Sequence, residues 1–438
     1  MKNFQTEKLE EVRALYEAKW AEYEGVDQKI QEGIEQNRKG DCVLSLGKEA
    51  AGKTVKVTQK SHAFKFGANL LLLDQLDTPE KNQEYRELFA KYFNLGTIPF
   101  YWDTLEQEEG KPRYDADSPN VYRRPATDLC MNYCQEYGVE PKLHVLYYDK
   151  FSPKWLYDAD LDTCLAKLEK RFGEIADRYA GKMFEVEVVN EHFCVYDRKT
   201  AMSRKRDIVK YCFDMAQKYF PTDQLTINET GSNTVLTRED MSPYYLYLDS
   251  LLKQGAKIDR IGLQRHQFTG VRAMEQEAYE QSVLDGLKNY DVKQIYTDLD
   301  LLAEFGKAIE ITEVTVPTFT EDAAGEELQA DLLERLYSLW FSHPAVDAIV
   351  YWNSCDGYAF VEPGRNENNC RGGLFHRDLT PKAAAKRLYY LMNEKWHTDL
   401  TLTADENGEV RFRGFYGDYV AECDGATTEF SIQKDVTK

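Results

Sequence analysis

Long apolar runs and an excess of positive charge are both missing from this 438-residue sequence. No stretch approaches the roughly 18–20 apolar residues that span a bilayer. The first residues, MKNFQTEKLEEVRALYEAKW, lack the continuous apolar core of a secretory signal. Lysine and arginine number 55 against 75 aspartate and glutamate, which gives a formal net charge of −20. Because a negative field repels phosphate backbones, we expect neither a nucleic-acid partner nor a membrane partner.

Patterned cysteines, phosphate loops and metal-binding spacings are also absent from the sequence. The nine cysteines are scattered without a framework spacing, which indicates reduced thiols and predicts a cytoplasmic location. Cys130 and Cys134 lie one helical turn apart, but no His or second Cys pair accompanies them, so core packing is favoured over metal binding. Without a glycine-rich loop or His-x-x-x-His spacing, we expect no cofactor and no metal.

Both ends of the chain contain short β segments. Between residues 5 and 38, apolar side chains recur every three or four positions and predict a helix that docks on the main domain. The segments CVLSLG and KTVKVTQKS alternate in polarity and predict a β-hairpin. Residues 399–438 contain further alternating segments around an Asn-Gly turn. Since each set alone would be marginally stable, we predict that residues 1–61 and 397–438 join in a small β-sandwich-like accessory domain.

The middle of the chain alternates between short β-rich segments and long amphipathic stretches. Eight such units predict an α/β fold, a (β/α)8 TIM barrel over residues 62–396. Several segments are apolar almost throughout, as expected for strands buried on both faces. The predicted strands are 62–70, 94–100, 141–148, 184–191, 224–229, 260–266, 307–314 and 348–353.

Polar side chains cluster where these predicted strands end, which is the face that carries the active site in such barrels. Carboxylates, amides, imidazoles and an indole in one place suit a carbohydrate site, because hydroxyls need donor and acceptor partners and sugar faces need an aromatic platform. The residues at the strand ends are His144, Asn190, Glu191, Asn228, Glu229, Gln264, His266, Glu313, Trp352 and Asn353.

Two of these carboxylates have the placement that glycoside hydrolysis needs. Glu191 follows the run VEVV and Glu313 follows IEIT, so both emerge from apolar strands at one rim. One carboxyl group must protonate the leaving oxygen while the other attacks the anomeric carbon. A pair of rim salt bridges to Lys or Arg would give the same pattern. The spacing alone therefore leaves both interpretations open.

Collinear motifs over residues 62–396 resemble the family 10 glycoside hydrolases, which are best known for β-1,4-xylanases. FEVEVVNE is similar to the family's strand-4 motif ending in Asn-Glu, and IEITEV is similar to its nucleophile motif. LHVLYYDKFSPKW, IGLQRH and VYWNSCDGYAF resemble the strand-3, strand-6 and strand-8 segments, and FYWDTLEQEEGKPRY resembles the segment after strand 2.

The resemblance implies a role for each matched position. Glu191 would be the acid/base, Glu313 the nucleophile of a retaining double displacement, and Asn190 the partner of the sugar 2-hydroxyl. His266 would hydrogen-bond to Glu313. Substrate contacts are expected from the remaining positions, namely His144, Gln264, Trp352, Tyr101, Tyr148 and Phe360.

The sequence departs from the family pattern on the glycone side. Thr97, Ile98 and Tyr101 stand where the family usually has Glu, Asn and Lys, and Phe151 replaces a Gln. Four lost hydrogen bonds, each contributing about 0.5–1.5 kcal/mol, would weaken binding of an extended chain by roughly a thousandfold or more. We therefore expect a retaining β-glycosidase for short xylo-oligosaccharides or another small plant-derived β-glycoside. An endo-β-1,4-xylanase and a catalytically idle carbohydrate-binding protein are the alternatives, and the oligomeric state stays open.

Overall fold

The computed structural model describes residues 6–194, 198–230, 241–272 and 275–434, so the outermost residues of both predicted terminal segments lie outside it. The N-terminal region contains two helices, α1 (Thr6–Ala21) and α2 (Val26–Arg38), and the prediction of one helix is wrong. Gly25 separates them with a φ of 76°, a left-handed conformation that glycine adopts without strain. Two strands follow, β1 (Lys39–Ser45) and β2 (Thr54–His62).

Eight parallel strands close into a barrel, so the predicted TIM barrel is confirmed. All eight predicted strands are present, although the third ends at His144 instead of Tyr148. The last strand pairs with both the first and the seventh, which closes the ring. The strands are β3 (Lys65–Asn69), β4 (Leu95–Pro99), β5 (Glu140–His144), β6 (Glu185–Asn190), β7 (Leu225–Thr230), β8 (Arg260–His266), β9 (Ala308–Thr315) and β10 (Val346–Tyr351).

Helices occupy the segments between the barrel strands. Their apolar faces bury side chains in the same core as the strands, which is the packing that α/β barrels require. The helices are α3 (Pro79–Tyr92), α4 (Trp102–Leu105), α5 (Thr127–Tyr137), α6 (Leu161–Tyr179), α7 (Ile208–Tyr219), α8 (Pro243–Lys253), α9 (Gln276–Gly286), α10 (Val292–Ala303), α11 (Ala323–Ser342) and α12 (Ala383–Tyr390). No helix among the described residues has the length and apolar character needed to cross a membrane.

The strand starts carry a buried ionic layer at the end of the barrel opposite the predicted site. The Lys142 ammonium lies 2.7 Å from carboxylate oxygens of both Glu185 and Glu310, and all three side chains are almost fully buried. Arg260 also contacts Glu185 there. Because these charges neutralise one another, the carboxylates of this layer are structural, unlike those at the strand ends.

An accessory β unit joins segments from both ends of the chain. The two short strands β11 (Val361–Glu362) and β12 (Arg365–Asn366) pair with each other in a separate hairpin. The C-terminal strands of the accessory unit are β13 (Asp399–Thr403), β14 (Glu409–Phe415), β15 (Gly417–Cys423) and β16 (Ala426–Ile432). β1 pairs with β14, and β2 lies between β13 and β15.

The predicted hairpin between β1 and β2 is therefore wrong. A short turn of 3₁₀-helix at Lys48–Ala50 separates the two strands, and they join different sheets. Leu44 from one strand and Val55 and Val57 from the other are buried in one small apolar cluster, so each strand covers its apolar face with the opposite sheet. The domain limits at residues 61 and 396 remain a prediction.

Candidate active site

Glu191 and Glu313 meet at the mouth of the barrel through one shared amide. Glu191 directly follows β6, Glu313 lies near the end of β9, and Gln264 projects from β8 between them. The Nε2 atom of Gln264 is 3.0 Å from Oε1 of Glu191 and 3.0 Å from Oε1 of Glu313. These two carboxylate oxygens are therefore no farther apart than twice 3.0 Å.

The Glu313 carboxylate is buried and receives three N–H groups. Besides Gln264, Nδ2 of Asn228 lies 3.2 Å from its Oε1 and Nε2 of His266 lies 2.9 Å from its Oε2. Burial raises the pKa of Glu313 well above its ordinary value, and the nearby Glu191 charge acts in the same direction, while His144 opposes both. Glu313 is thus held in one orientation in a site that favours its protonated form.

His266 is neutral near physiological pH and fixed on both sides of its ring. Its Nδ1 lies 2.9 Å from Oγ1 of Thr315, and its Nε2 faces Glu313. Burial lowers the pKa of His266 to about 4. Because the ring carries only one N–H, a hydroxyl at Nδ1 and a carboxylate at Nε2 together favour the tautomer that donates to Glu313.

The backbone turns sharply at Glu191. Its φ of 50° lies in the left-handed region, where a side chain of this size is uncommon, and its N–H donates to the Asn228 carbonyl at 3.0 Å. The turn leaves the side chain half-buried, with the Tyr148 hydroxyl donating to Oε2. Glu191 is therefore more open to a ligand than Glu313, which is almost fully enclosed.

Asn190 and Asn228 complete a group that we call the polar floor: Asn190, Glu191, Asn228, Gln264, His266 and Glu313. Oδ1 of Asn190 lies 3.3 Å from Nε2 of Gln264. Oδ1 of Asn228 accepts from the Thr312 hydroxyl at 2.6 Å, which orients its amide toward Glu313. A Cβ atom on Gly262 would stand 2.8 Å from that Oδ1, so only glycine fits beside Asn228.

Beside the polar floor lies a cluster of rings that we call the aromatic wall, comprising Tyr101, Tyr148, Phe151 and Trp352. The Tyr101 and Phe151 ring centroids are 4.6 Å apart, and those of Tyr148 and Phe151 are 5.2 Å apart. The His144 ring stands edge-on to Trp352 at 5.5 Å, and its Nε2 lies 3.0 Å from the Tyr101 hydroxyl. This surface suits the apolar face of a sugar or an aromatic aglycone.

The Glu187 carboxylate supports both the aromatic wall and the polar floor from beneath. Its Oε2 lies 2.9 Å from Nδ1 of His144, and its Oε1 lies 3.3 Å from Nδ2 of Asn228. Burial by itself would lower the pKa of His144, but the Glu187 charge outweighs it, so the pKa of His144 is raised. Sequence reasoning missed Glu187 and Thr312. Both side chains point into the barrel. The sequence signal that could have indicated this placement is the alternation of residues along β6 and β9.

The remaining predicted residues lie around the mouth. The Lys150 ammonium is 5.6 Å from the ring centres of both Phe151 and Phe360, so it bridges the aromatic wall and Phe360. Thr97 and Ile98 are fully buried in β4. Among the residues that the structure describes, no group of three or more His, Cys, Asp or Glu side chains could hold a metal ion.

Glu229 is a third buried carboxyl group at this rim. Its Oε1 accepts the Phe193 backbone N–H at 2.8 Å. Burial raises the pKa of Glu229 to about 8, and the Glu191 charge adds to the shift. Glu229 is therefore largely protonated at neutral pH, which sets it apart from a charged substrate contact.

The model of glycosyl hydrolase family 10 matches residues 59–390 of this chain. Among curated proteins, the anti-sigma-I factor RsgI6 of Acetivibrio thermocellus is 25% identical over 90% of this chain and 45% of its own length. Endo-1,4-beta-xylanase 2 of Arabidopsis thaliana is 24% identical over 85% of this chain and 31% of its own length. The chain thus spans less than half the length of these relatives.

Solved structures support the same fold. Xylanase 10B from Thermotoga maritima superimposes with a TM-score of 0.57 and 18% identity, covering 76% of this chain and 96% of its own. Xylanase 10B from Thermotoga petrophila, solved with xylobiose, gives a TM-score of 0.58 and 17% identity over 76% of this chain and 95% of its own. With the family model matching most of its length, this chain belongs to glycosyl hydrolase family 10.

Proposed function

We propose that this glycoside hydrolase cleaves β-glycosidic bonds with retention, using Glu313 as nucleophile and Glu191 as acid/base. The observation that carries the proposal is the single amide of Gln264 in contact with both carboxylates. That contact brings one oxygen of each carboxylate within twice 3.0 Å of the other, and retaining enzymes place their two carboxyl groups about 5–5.5 Å apart.

In the first step, Glu313 attacks the anomeric carbon while Glu191 gives its proton to the departing oxygen. The products of this step are a covalent glycosyl ester on Glu313 and a free aglycone or shortened glycan. In the second step, Glu191 takes a proton from a water molecule that attacks the same carbon, and Glu313 leaves as a carboxylate. Two inversions at one carbon restore the original β configuration.

The surroundings of the two carboxylates support this division of roles. Burial and the Glu191 charge raise the pKa of Glu313 in the free site. Three N–H groups face Glu313 and offset part of the cost of its ionised form, which is the form that a nucleophile needs. Glu191 is also the more exposed of the two, as a group that meets a leaving group and then water should be.

The proposed substrates are short xylo-oligosaccharides or another small β-glycoside. Phe151 and the other rings of the aromatic wall favour stacking over the dense hydrogen bonding that holds a long chain. Asn190 would meet the sugar 2-hydroxyl and Trp352 its apolar face. A location in the cytoplasm, as proposed from the cysteine pattern, agrees with imported substrates of this size. The substrates of the much longer relatives do not settle this point.

Hydrolysis of an aryl β-xylobioside by the wild type and by Glu313→Ala tests the proposal. We expect the variant to lose about 10⁴-fold or more in kcat, because no other carboxylate on the polar floor can form the glycosyl ester. Glu229→Gln is the matched control. It alters a buried carboxyl group on β7, and this group is already largely protonated at neutral pH. Undiminished hydrolysis by Glu313→Ala would refute the nucleophile assignment. Tight glycan binding without any turnover by the wild type would favour a binding protein.

A further inference from the structure

Two adjacent arginines, Arg123 and Arg124, are buried beside the aromatic wall. Their exposed fractions are 4% and 8%. The Arg124 guanidinium carbon lies 3.9 Å from the centre of the Tyr101 ring and 5.4 Å from that of Phe151. Tyr101 in turn contacts His144, so Tyr101 links Arg124 to the histidine beside the polar floor.

Neither guanidinium has a carboxylate partner. No carboxylate oxygen of the described residues lies within 4.0 Å, the ion-pair limit, of either group. Arg123 donates to the Asn353 side chain at 2.8 Å and to the Tyr358 carbonyl. Arg124 donates from Nη1 to the Arg123 carbonyl at 2.9 Å, and its buried Nε has no partner in the described part of the chain. Arg124 thus keeps unused hydrogen-bonding capacity.

The surrounding charges leave this pair uncompensated. Asp103 attracts Arg124 from beyond ion-pair distance, and burial raises the pKa of Asp103 to about 6. Glu367 reaches Arg123 only through the side chain of Asn353, at 2.8 Å from each. Lys150 adds another positive charge, 5.6 Å from the centre of the Phe151 ring. A buried charge normally has a partner, because its desolvation is costly. The Tyr101 ring offsets part of that cost, but a ring carries no counter-charge.

We propose that Arg124 forms an anion subsite on the glycone side, which takes the carboxylate of an acidic sugar on the substrate. The substrate class is then a short β-glycoside whose glycone carries a uronic acid. This deepens the function proposed above and rests on it. The residue sits next to Tyr101, in a region where the sequence has lost the charged and amide side chains that would bind a neutral sugar chain. Planar guanidinium groups suit carboxylates because two N–H groups can face two oxygens.

The test compares 4-nitrophenyl β-xylobioside with the same compound carrying an α-linked glucuronic acid on its outer xylose. For the wild type, we expect kcat/KM to be about 10- to 100-fold higher on the acidic compound, the range of a hydrogen bond to a charged group. Arg124→Gln should bring the two values close together, while Arg124→Lys should keep part of the preference. Equal rates in the wild type, or a preference that survives Arg124→Gln, would overturn the proposal.

Arg335→Gln is the matched control, because Arg335 also lies over a tyrosine, 5.0 Å from the centre of the Tyr16 ring, on the N-terminal helix side. It should leave the preference unchanged. If Arg124→Gln fails to fold, Arg124→Lys decides the matter. Because lysine lacks the planar pair of N–H groups, the acidic preference should fall while the rate on the neutral compound is kept, and an unchanged preference would refute the subsite.

Failure of hydrolysis can be told apart from failure of the subsite. If the wild type cleaves neither compound, the proposed function fails, and calorimetric titration with xylotriose and its glucuronic-acid derivative still tests Arg124. Tighter binding of the acidic ligand that disappears in Arg124→Gln would support the subsite. Equal binding of both ligands would contradict it.

Discussion

The polar floor and the aromatic wall share the barrel mouth but are built in opposite ways. On the floor, each carboxylate and amide is bonded to its neighbours, as in the contacts of Gln264 with both Glu191 and Glu313. On the wall, rings pack edge-to-face, and the Nε of the adjacent Arg124 has no hydrogen-bond partner among the described residues. We propose that the floor determines the kind of bond that is cleaved and the wall the kind of sugar that is accepted.

This separation matters because the two regions tolerate change differently. A polar group removed from the floor leaves a buried partner unsatisfied, at a cost of about 1–3 kcal/mol for each group. Phe151 on the wall makes ring contacts but has no polar atom in its side chain, so exchanging it changes packing without leaving a buried polar partner. We therefore expect floor variants to lose activity on every substrate and wall variants to change the order of substrates.

Among the tests of this difference between the polar floor and the aromatic wall, we expect the largest effect from Glu191→Ala. Without the acid, cleavage of a substrate with a poor leaving group, such as xylobiose, should fall by about 10²–10⁴-fold. A dinitrophenyl glycoside needs no protonation, so its first step should be affected far less. Steady-state and burst kinetics on the two substrates measure the contrast. An equal loss on both would contradict the assignment of Glu191 as acid.

A second prediction concerns how Glu229, the buried carboxyl group beside the polar floor, makes the free energy of unfolding depend on pH. The pKa of Glu229 is raised to about 8, so the folded protein keeps this proton to a higher pH than the unfolded chain does. Its contribution is complete below about pH 4.5 and is lost progressively as the pH rises to about 8. Glu229→Gln cannot titrate, so its stability relative to the wild type should grow over that window, by up to about 1.4 kcal/mol per pH unit.

Denaturant unfolding at about pH 5 and about pH 8 measures this difference. Phe151→Leu on the aromatic wall serves as the control, because a residue without a titratable group should change the free energy of unfolding equally at both pH values. A constant difference between Glu229→Gln and the wild type across the window would show that Glu229 is ionised in the folded protein.

The smallest effect concerns specificity at the aromatic wall. Phe151→Gln restores the amide that the family pattern has at this position. We expect it to raise kcat/KM on xylotriose relative to an aryl β-xyloside by about 2- to 10-fold, the value of one hydrogen bond. An equal change on both substrates would mean that Phe151 does not face the glycone.

Much of the fold could be predicted from the sequence, because strand periodicity and the polar residues at strand ends are local signals. Glu191 and Glu313 are recognisable as strand-end residues for that reason, while the roles predicted for them come from the family resemblance. The pairing of β1 and β2 was not, since two alternating strands near each other in sequence resemble a hairpin, and only the burial of Leu44 and Val57 against opposite sheets separates them.

Parts of the site were equally hidden from sequence reasoning. Glu187 lies within a largely apolar strand, so the sequence does not indicate that it orients His144 and Asn228. Tyr148 is predicted to contact substrate, and its sequence position does not indicate that its hydroxyl donates to Glu191. That no carboxylate of the described residues lies within ion-pair distance of Arg124 follows from how distant segments pack together. Such contacts depend on distances between residues far apart in the chain, which periodicity does not encode.

The configuration of the first-formed product tests the central claim most directly. Proton NMR of the wild type acting on xylotriose, recorded before mutarotation, distinguishes the two anomers of the released sugar. A retaining mechanism through Glu313 and Glu191 predicts that the β-anomer appears first and the α-anomer grows in later. Initial release of the α-anomer would contradict the proposed double displacement.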